Sequence, residues 1–293
     1  MPRRIDLVII DPQNSFCKVV DPAQQQVVHD GELCVPGAWE DMERVANLVS
    51  RLTDKLYEIH VTLDSHHPLH IAHPMYFRSV LDGSPPNPFT IMREESNKII
   101  GSAFDANGNP SDVGEFITSL RQELQPTLEY LVELRNGGRY PHCIWPPHCL
   151  IGTPGHNVVQ PLFDALHEWE VKHVGAIVDF VTKGSNYRRE HFSAVKAEVI
   201  DTEDDTTALN TDFINTVMEA DEILLCGEAL SHCLANTVRD MANSFKDDSF
   251  IQKCVLLTDG SSNVPGFDQF GTDFVSEMTA RGMKTATCAD YLA

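Results

Sequence analysis

Short apolar runs alternate with amphipathic stretches along most of this chain, and that alternation limits the folds open to it. Ile5–Asp11 and Tyr57–Asp64 are the first two strand candidates, and Val174–Phe180, Glu222–Cys226 and Cys254–Asp259 are rich in Val, Ile and Leu, the composition of strands buried on both faces. The spacing predicts helices over Ala38–Leu56, Val159–Lys172, Leu209–Ala220, Ser231–Phe245 and Phe267–Arg281, with a last strand at Lys284–Cys288. Such alternation implies an α/β fold of three layers: a mainly parallel sheet of about six strands with helices on both faces. One region breaks the rhythm. From about 75 to 140 the chain carries Pro85-Pro86-Asn87-Pro88, Asn107-Gly108-Asn109-Pro110 and a predicted helix from Ser111 to Leu134. It reads as an insertion between the second and third strands, too poor in apolar residues to count as a separate domain. The expectation is therefore one domain over 1–293 carrying an insertion at about 75–140.

Composition excludes several classes of function. No apolar run approaches the roughly 20 residues of a membrane-spanning helix. Met1-Pro2-Arg3-Arg4 leads straight into the first strand without the apolar core of a signal peptide, so a cytoplasmic location is expected. Lys+Arg of 22 against Asp+Glu of 43 gives a net charge of -21, which repels nucleic acid and anionic membrane alike. The eight cysteines form no CxxC pair, and in a cytosolic chain they read mostly as buried free thiols.

In open parallel sheets, ligands bind beyond the carboxyl ends of the strands. Asp11, Asp64, Lys183 and the turn before Cys233 all fall at such ends. Each alone has a plain structural reading: a turn cap, a solvated charge, a small buried hydrophobe. An acid, an acid, an amine and a thiol converging on one rim are a stronger signal of chemistry than any one of them. The run Leu224-Leu225-Cys226-Gly227-Glu228-Ala229-Leu230-Ser231-His232-Cys233 places the thiol at a predicted helix start, where positive potential lowers a cysteine's pKa. A second cluster, Asp64-Ser65-His66-His67-Pro68-Leu69-His70-Ile71-Ala72-His73, sets Asp64 and His66 on one side of an extended chain. His148, approached through Trp145-Pro146-Pro147, adds a further imidazole. One carboxylate with several imidazoles suits Zn²⁺, Fe²⁺ or Mn²⁺.

These segments occur together in a known order. Asp11-Pro12-Gln13-Asn14-Ser15-Phe16-Cys17, Asp64-Ser65-His66, Trp145-Pro146-Pro147-His148-Cys149 with Gly152-Thr153-Pro154-Gly155, Lys183-Gly184, and Gly227 through Cys233 resemble the nicotinamidases of the isochorismatase-like cysteine hydrolase superfamily. The resemblance spans nearly the whole chain apart from the insertion. It implies an isochorismatase-like fold and a catalytic triad of Asp11, Lys183 and Cys233. It also implies one divalent metal ion, zinc before iron or manganese, held by Asp64, His66, His148 and a fourth ligand. Both His70 and His73 are available for that fourth place, and His73 is favoured; His67 and His142 are set aside. Phe16 and Trp145 resemble an aromatic pair that sandwiches a pyridine ring. The backbone amides of Ala229 and Cys233 correspond to oxyanion donors, with a cis peptide at Glu228–Ala229.

The implied reaction is hydrolysis of nicotinamide to nicotinate and ammonia through a thioester, by a homo-oligomer acting on a small amide. Other amide or carbamoyl hydrolases of the superfamily and a noncatalytic small-molecule binder are the alternatives. Isochorismatase chemistry fits less well, because vinyl-ether hydrolysis needs no thiol nucleophile. Two departures bear on the substrate. Ser15 stands where many nicotinamidases have an acid. Arg188-Arg189-Glu190-His191 is more charged than a neutral amide requires nearby, unless it is a solvated turn.

Overall fold

The computed structural model describes residues 3–21, 26–104 and 109–293. The chain begins with β1 (Ile5–Ile10), a hairpin of β2 (Lys18–Asp21) and β3 (Gln26–Asp30), α1 (Ala38–Arg51) and β4 (Leu56–Asp64). The insertion contains β5 (Phe77–Ser79), β6 (Ile91–Glu95), β7 (Lys98–Phe104), β8 (Pro110–Thr118), α2 (Leu124–Gly137) and β9 (His142–Cys143). After it come α3 (Gln160–Lys172), β10 (Asp179–Lys183), α4 (Thr211–Met218), β11 (Glu222–Gly227), α5 (Ala235–Asn243), β12 (Cys254–Leu257), α6 (Asp268–Ala280) and β13 (Lys284–Ala286).

Six of these strands form a parallel sheet in the order β10-β4-β1-β11-β12-β13, flanked by helices. Every residue of β1, β11 and β12 is buried, as continuous apolar runs require when both faces are covered. On α1, the predicted face of Met42, Val45, Leu48 and Val49 is buried, and the helix packs on α3. The first crossover reverses at β1, so the ends of β4, β1, β11 and β10 share one rim with Asp11, Asp64 and Lys183. That reversal is where an open α/β sheet leaves a crevice for a ligand.

Two expected elements differ. The strand expected at Val174–Phe180 begins only at Asp179, and Val174 and Ile177 are exposed. An apolar run cannot by itself report whether it lies in the sheet or on the approach to it, and β10 is an edge strand with Asp179, Phe180 and Thr182 exposed. The helix expected over Ser111–Leu134 is two elements. Its first part is β8, paired antiparallel to β7 and β5, and only from Leu124 does α2 begin. Val113, Phe116, Ile117 and Thr118 favour strand, and cross-strand partners decided between the two. The insertion carries an antiparallel sheet ordered β5-β8-β7-β6-β9 and an apolar cluster of its own, including Phe77, Ile99, Phe116, Tyr130 and Leu131. Asn107 and Gly108 of its expected turn lie outside the described residues.

Candidate active site

Asp11 follows β1 with a positive φ of 43°, a conformation that turns it out of the strand. Its amide donates to Thr62, and the Thr62 hydroxyl donates to Asp11 Oδ1 at 2.6 Å. Lys183 ends β10, two strands away. Its Nζ lies 3.0 Å from Asp11 Oδ2, 3.0 Å from Asp64 Oδ1 and 3.7 Å from Cys233 Sγ, and it donates to the His191 carbonyl at 3.0 Å. All four side chains are buried. Burial opposes the lysine's charge, but Asp11 and Asp64 outweigh it and hold the ammonium well above its ordinary range. The three predicted triad residues are therefore together, joined by the first metal-cluster carboxylate.

The thiol departs from expectation. Cys233 lies within a π-type turn, Leu230–Leu234, that precedes α5. Burial pushes its pKa well above the usual value; Lys183 pulls it down, while Asp11 and Asp64 push it further up. The resting sulfur keeps its proton, so a neighbouring base is needed to remove it. Asp11 suits that role: burial raises its pKa, and the charge of Asp64 reinforces the effect against Lys183.

The turn before Cys233 is shaped by close packing. Gly227 has φ of 109°, and a Cβ there would meet Ile10 O at 2.1 Å, so only glycine lets the end of β11 lie against β1. The Glu228–Ala229 peptide is cis. Leu230 donates to Ser262 O, and His232 and Leu234 both donate to Ala229 O.

The imidazole cluster is assembled from two chain segments zipped together. His66 N–H donates to Cys149 O, Ile151 N–H donates back to His66 O, and Trp145 N–H donates to Ala72 O. Asp64 Oδ2 lies 2.9 Å from His66 Nε2 and 3.4 Å from His148 Nε2. His66 Nδ1 is held by Gly184 O at 2.9 Å and His148 Nδ1 by Pro146 O at 2.8 Å, so each ring turns its Nε2 inward. Gly184, at φ of 80°, leaves no room for a Cβ, which would lie 2.7 Å from Asp64 Oδ1.

His70 and His73 now separate. His70 has both nitrogens engaged, with Arg189 O at 3.1 Å and with the Ala72 amide at 3.2 Å. His73 is fully buried and makes no well-formed hydrogen bond through either nitrogen; burial with nearby His148 and His66 brings its pKa down to about 2, against a weaker opposing pull from the Pro68 backbone. A neutral imidazole with free nitrogens, its ring 5.2 Å from His66 and 5.4 Å from His148, is what a metal requires of a ligand. Ligand atoms of Asp64, His66 and His148 lie within 4.8 Å of one another, as do those of His66, His70 and His73; with the His70 nitrogens engaged elsewhere, one carboxylate and three imidazoles are left that suit a divalent cation. His67 is exposed; His142 bonds Ile71 O and Tyr130 in the insertion core.

A narrow pocket at Cys233 is lined by Phe16, Trp145, Phe192, His232, Ala229 and Glu190, and reaches Asp64 and His148. The expected aromatic pair is present, but Phe192 and His232, packed against Trp145, were not read from the sequence. Phe192 lies in no distinctive motif, and His232, inside the Gly227–Cys233 run, was not singled out there. Glu190 was noticed only as part of a charged run. That run is not a solvated turn: Glu190 and His191 are buried, Glu190 Oε2 has no hydrogen-bond donor, and Arg188 pairs with buried Glu123 of the insertion at 2.8 Å. Ser15 is engaged on both sides. The Ser15 hydroxyl donates to Glu32 Oε2 at 2.7 Å and accepts from the Cys149 amide at 2.8 Å. All eight cysteines are unpaired, and all but Cys34 are buried.

No family model matches the chain, and no curated protein matches it by sequence. Solved structures do. A yeast nicotinamidase bound to the inhibitor nicotinaldehyde aligns over 97% of this chain and 99% of its own, at 18% identity and a TM-score of 0.58. An Acinetobacter baumanii nicotinamidase/pyrazinamidase aligns over 99% of both chains at 16% identity and a TM-score of 0.55. A Pyrococcus horikoshii pyrazinamidase in complex with zinc aligns over 97% of this chain and 99% of its own, at 17% identity and a TM-score of 0.51. No described helix is long and apolar enough to cross a membrane. From end to end, this chain has the fold of the nicotinamidases and pyrazinamidases.

Proposed function

We propose that this protein is a metal-dependent cysteine amidase that hydrolyses nicotinamide to nicotinate and ammonia through a thioester. The observation that carries the reading is Lys183 Nζ standing between Asp11, Asp64 and Cys233, a buried cation that joins a nucleophile, its base and a metal-site carboxylate. The fold shared with nicotinamidases and the pocket walls of Phe16 and Trp145 support the choice of an aromatic carboxamide.

In this reading, Asp11 takes the proton from Cys233 Sγ, and Lys183 stabilises the resulting charge. The sulfur attacks the carboxamide carbon, and the carbonyl electron pair moves onto oxygen. That oxyanion is received by the amides of Ala229 and Cys233. On collapse the C–N bond breaks, Asp11 returns its proton to the nitrogen, and ammonia leaves. Asp11 then deprotonates a water that attacks the thioester. The C–S bond breaks, nicotinate departs, and Cys233 recovers its proton. Asp64, His66, His73 and His148 are the residues that would hold a divalent cation, zinc before iron or manganese, which when bound anchors the ring nitrogen. Phe16 and Trp145 flank the ring and exclude water. The reading treats residues 1–293 as one hydrolase domain carrying the insertion at about 75–140, working as a cytoplasmic homo-oligomer.

A second reading, another amide or carbamoyl hydrolysed by the same machinery, draws on Glu190, whose free carboxylate oxygen in the pocket favours a substrate with an added hydrogen-bond donor. Ammonia release from nicotinamide, measured on zinc-loaded wild type and on Cys233→Ala, tests both. Turnover by wild type and none by the variant is expected. A wild type inactive on nicotinamide but active on a donor-bearing amide would favour the second reading.

A further inference from the structure

Glu228 precedes Ala229 in the turn beside the nucleophile, yet its side chain faces away from the pocket. It is completely buried. Its Oε2 accepts from the Ser262 amide at 3.2 Å, while its Oε1 receives no N–H or O–H group. The neighbouring acid is Asp41, in the first turn of α1, which is itself buried. Asp41 is well supplied: Arg44 pairs with its Oδ1, and the Ser262 hydroxyl donates to its Oδ2 at 2.5 Å. Two adjoining buried carboxyl groups thus share one cation, and that cation belongs to Asp41. A carboxylate left in that position would repel its neighbour and keep an unsatisfied oxygen away from water. One proton removes both penalties, by converting Oε1 from an orphan acceptor into a donor toward Asp41. Burial and the nearness of Asp41 also hold Glu228 well above the usual carboxylate range.

Ser262 ties this acid pair to the oxyanion turn. Its amide bonds Glu228, its hydroxyl bonds Asp41, and its carbonyl accepts from Leu230 N–H at 2.8 Å. Glu228 N–H is fixed on the other side by Ile10 O at 2.7 Å, and Val264 N–H donates to Ser231 Oγ at 3.1 Å. The residues on both sides of Ala229 are therefore anchored, one through its side chain and one through its amide. We propose that Glu228, carrying its proton on Oε1, is a positioning residue that aims the Ala229 amide at the developing oxyanion through Ser262 and Asp41. It touches no substrate.

The inference rests on the proposed reaction for the role of Ala229, and its test separates the two. Nicotinaldehyde should add to Cys233: the C–S bond forms, the carbonyl pair moves to oxygen, and the thiol proton passes to that oxygen or to Asp11. Iodoacetamide displaces iodide at a saturated carbon and builds no oxyanion. In Glu228→Leu, aldehyde affinity is expected to fall about 10- to 100-fold, toward the loss seen when an oxyanion donor is removed. The rate of Cys233 alkylation should stay within about twofold of wild type, since no oxyanion donor takes part in it. Glu228→Gln, whose amide can donate to Asp41 and accept from Ser262, should recover most of the aldehyde affinity. On nicotinamide the Leu variant should lose kcat with KM little changed.

Unchanged aldehyde binding in Glu228→Leu overturns the proposal. So does a parallel fall in alkylation, or a Gln variant as impaired as the Leu variant. Should the Leu variant not fold, an infrared difference spectrum between wild type and Glu228→Gln at neutral pH decides: a protonated-carboxyl band lost in the variant supports the proposal, and carboxylate bands alone refute it. A wild type that neither binds the aldehyde nor turns over nicotinamide instead refutes the functional reading.

Discussion

The two halves of the candidate site handle charge in opposite ways. In the thiol half, Lys183 meets Asp11, Asp64, Cys233 and the His191 carbonyl, so the cation it needs is part of the chain. In the imidazole half, Asp64 faces two Nε2 atoms, and His73 has two buried nitrogens without partners. One half carries its cation within the chain; the other presents a carboxylate and imidazoles suited to an outside cation. Asp64 belongs to both, through one oxygen each, so binding at one half is felt electrostatically at the other.

Breaking the thiol half should cost most. Lys183→Met strands two buried carboxylates, and removing one partner of such a set destabilises by about 3–5 kcal/mol. Ammonia release should vanish, and denaturant unfolding of the metal-free protein should show the loss; unchanged stability would mean that Lys183 is not the counterion these acids depend on.

The imidazole half is tested by a pair of substitutions. His73→Ala should weaken zinc binding by at least about 100-fold, beyond the 10- to 100-fold typical of residues that merely orient ligands. His70→Ala should leave zinc affinity nearer to wild type while losing about 1–3 kcal/mol of stability, because the Arg189 carbonyl and the Ala72 amide lose a buried partner. Chelator competition gives the affinities. If the two variants exchange these behaviours, the fourth ligand is His70.

A buried acid outside both halves supplies a control. Glu198 is buried beside Arg139 and Asp240, and burial first, with Asp240 and Glu190 adding to it, pushes its pKa up to about 7. A raised carboxylate binds its proton more tightly when folded. Its contribution is therefore complete below the unfolded value near 4.5 and is lost as pH rises through about 7. Stability should fall across that window by at most about 1.4 kcal/mol per pH unit, and Glu198→Gln should flatten the slope. A slope that survives the substitution would assign the titration to another group. The smallest effect is expected from Ser15→Ala, which removes the hydrogen bonds to Glu32 and from the Cys149 amide: about 1 kcal/mol by thermal unfolding.

Legibility in the sequence followed the range of the interactions involved. The strands at Ile5–Ile10, Glu222–Gly227 and Cys254–Leu257 were readable because burial on both faces demands an unbroken apolar run. Helices α3, α4 and α6 were readable from apolar spacing to within about two residues at their ends, whereas α1 stops at Arg51 instead of Leu56, and Leu56 opens β4. The approach to β10 and the strand β8 were misread, since their state depends on cross-strand partners far away in the chain. In the site, the ordered motifs pointed to Asp11, Asp64, His66, His148, Lys183 and Cys233. Glu190 and Phe192 belong to no such pattern, and His232, though inside the Gly227–Cys233 run, became visible as pocket wall only as a neighbour of Trp145 and Cys233.

Read as a string, the chain already contained its layer order, its candidate thiol and the kinds of atom that surround it, because those follow from local periodicity and from residue type at strand ends. Folding chose what periodicity cannot express. It raised rather than lowered the thiol's pKa, since desolvation in a packed pocket outweighs the potential of a helix start. It also occupied both nitrogens of His70 and left His73 free, a choice made by which carbonyl and which amide happen to lie within about 3 Å of each ring.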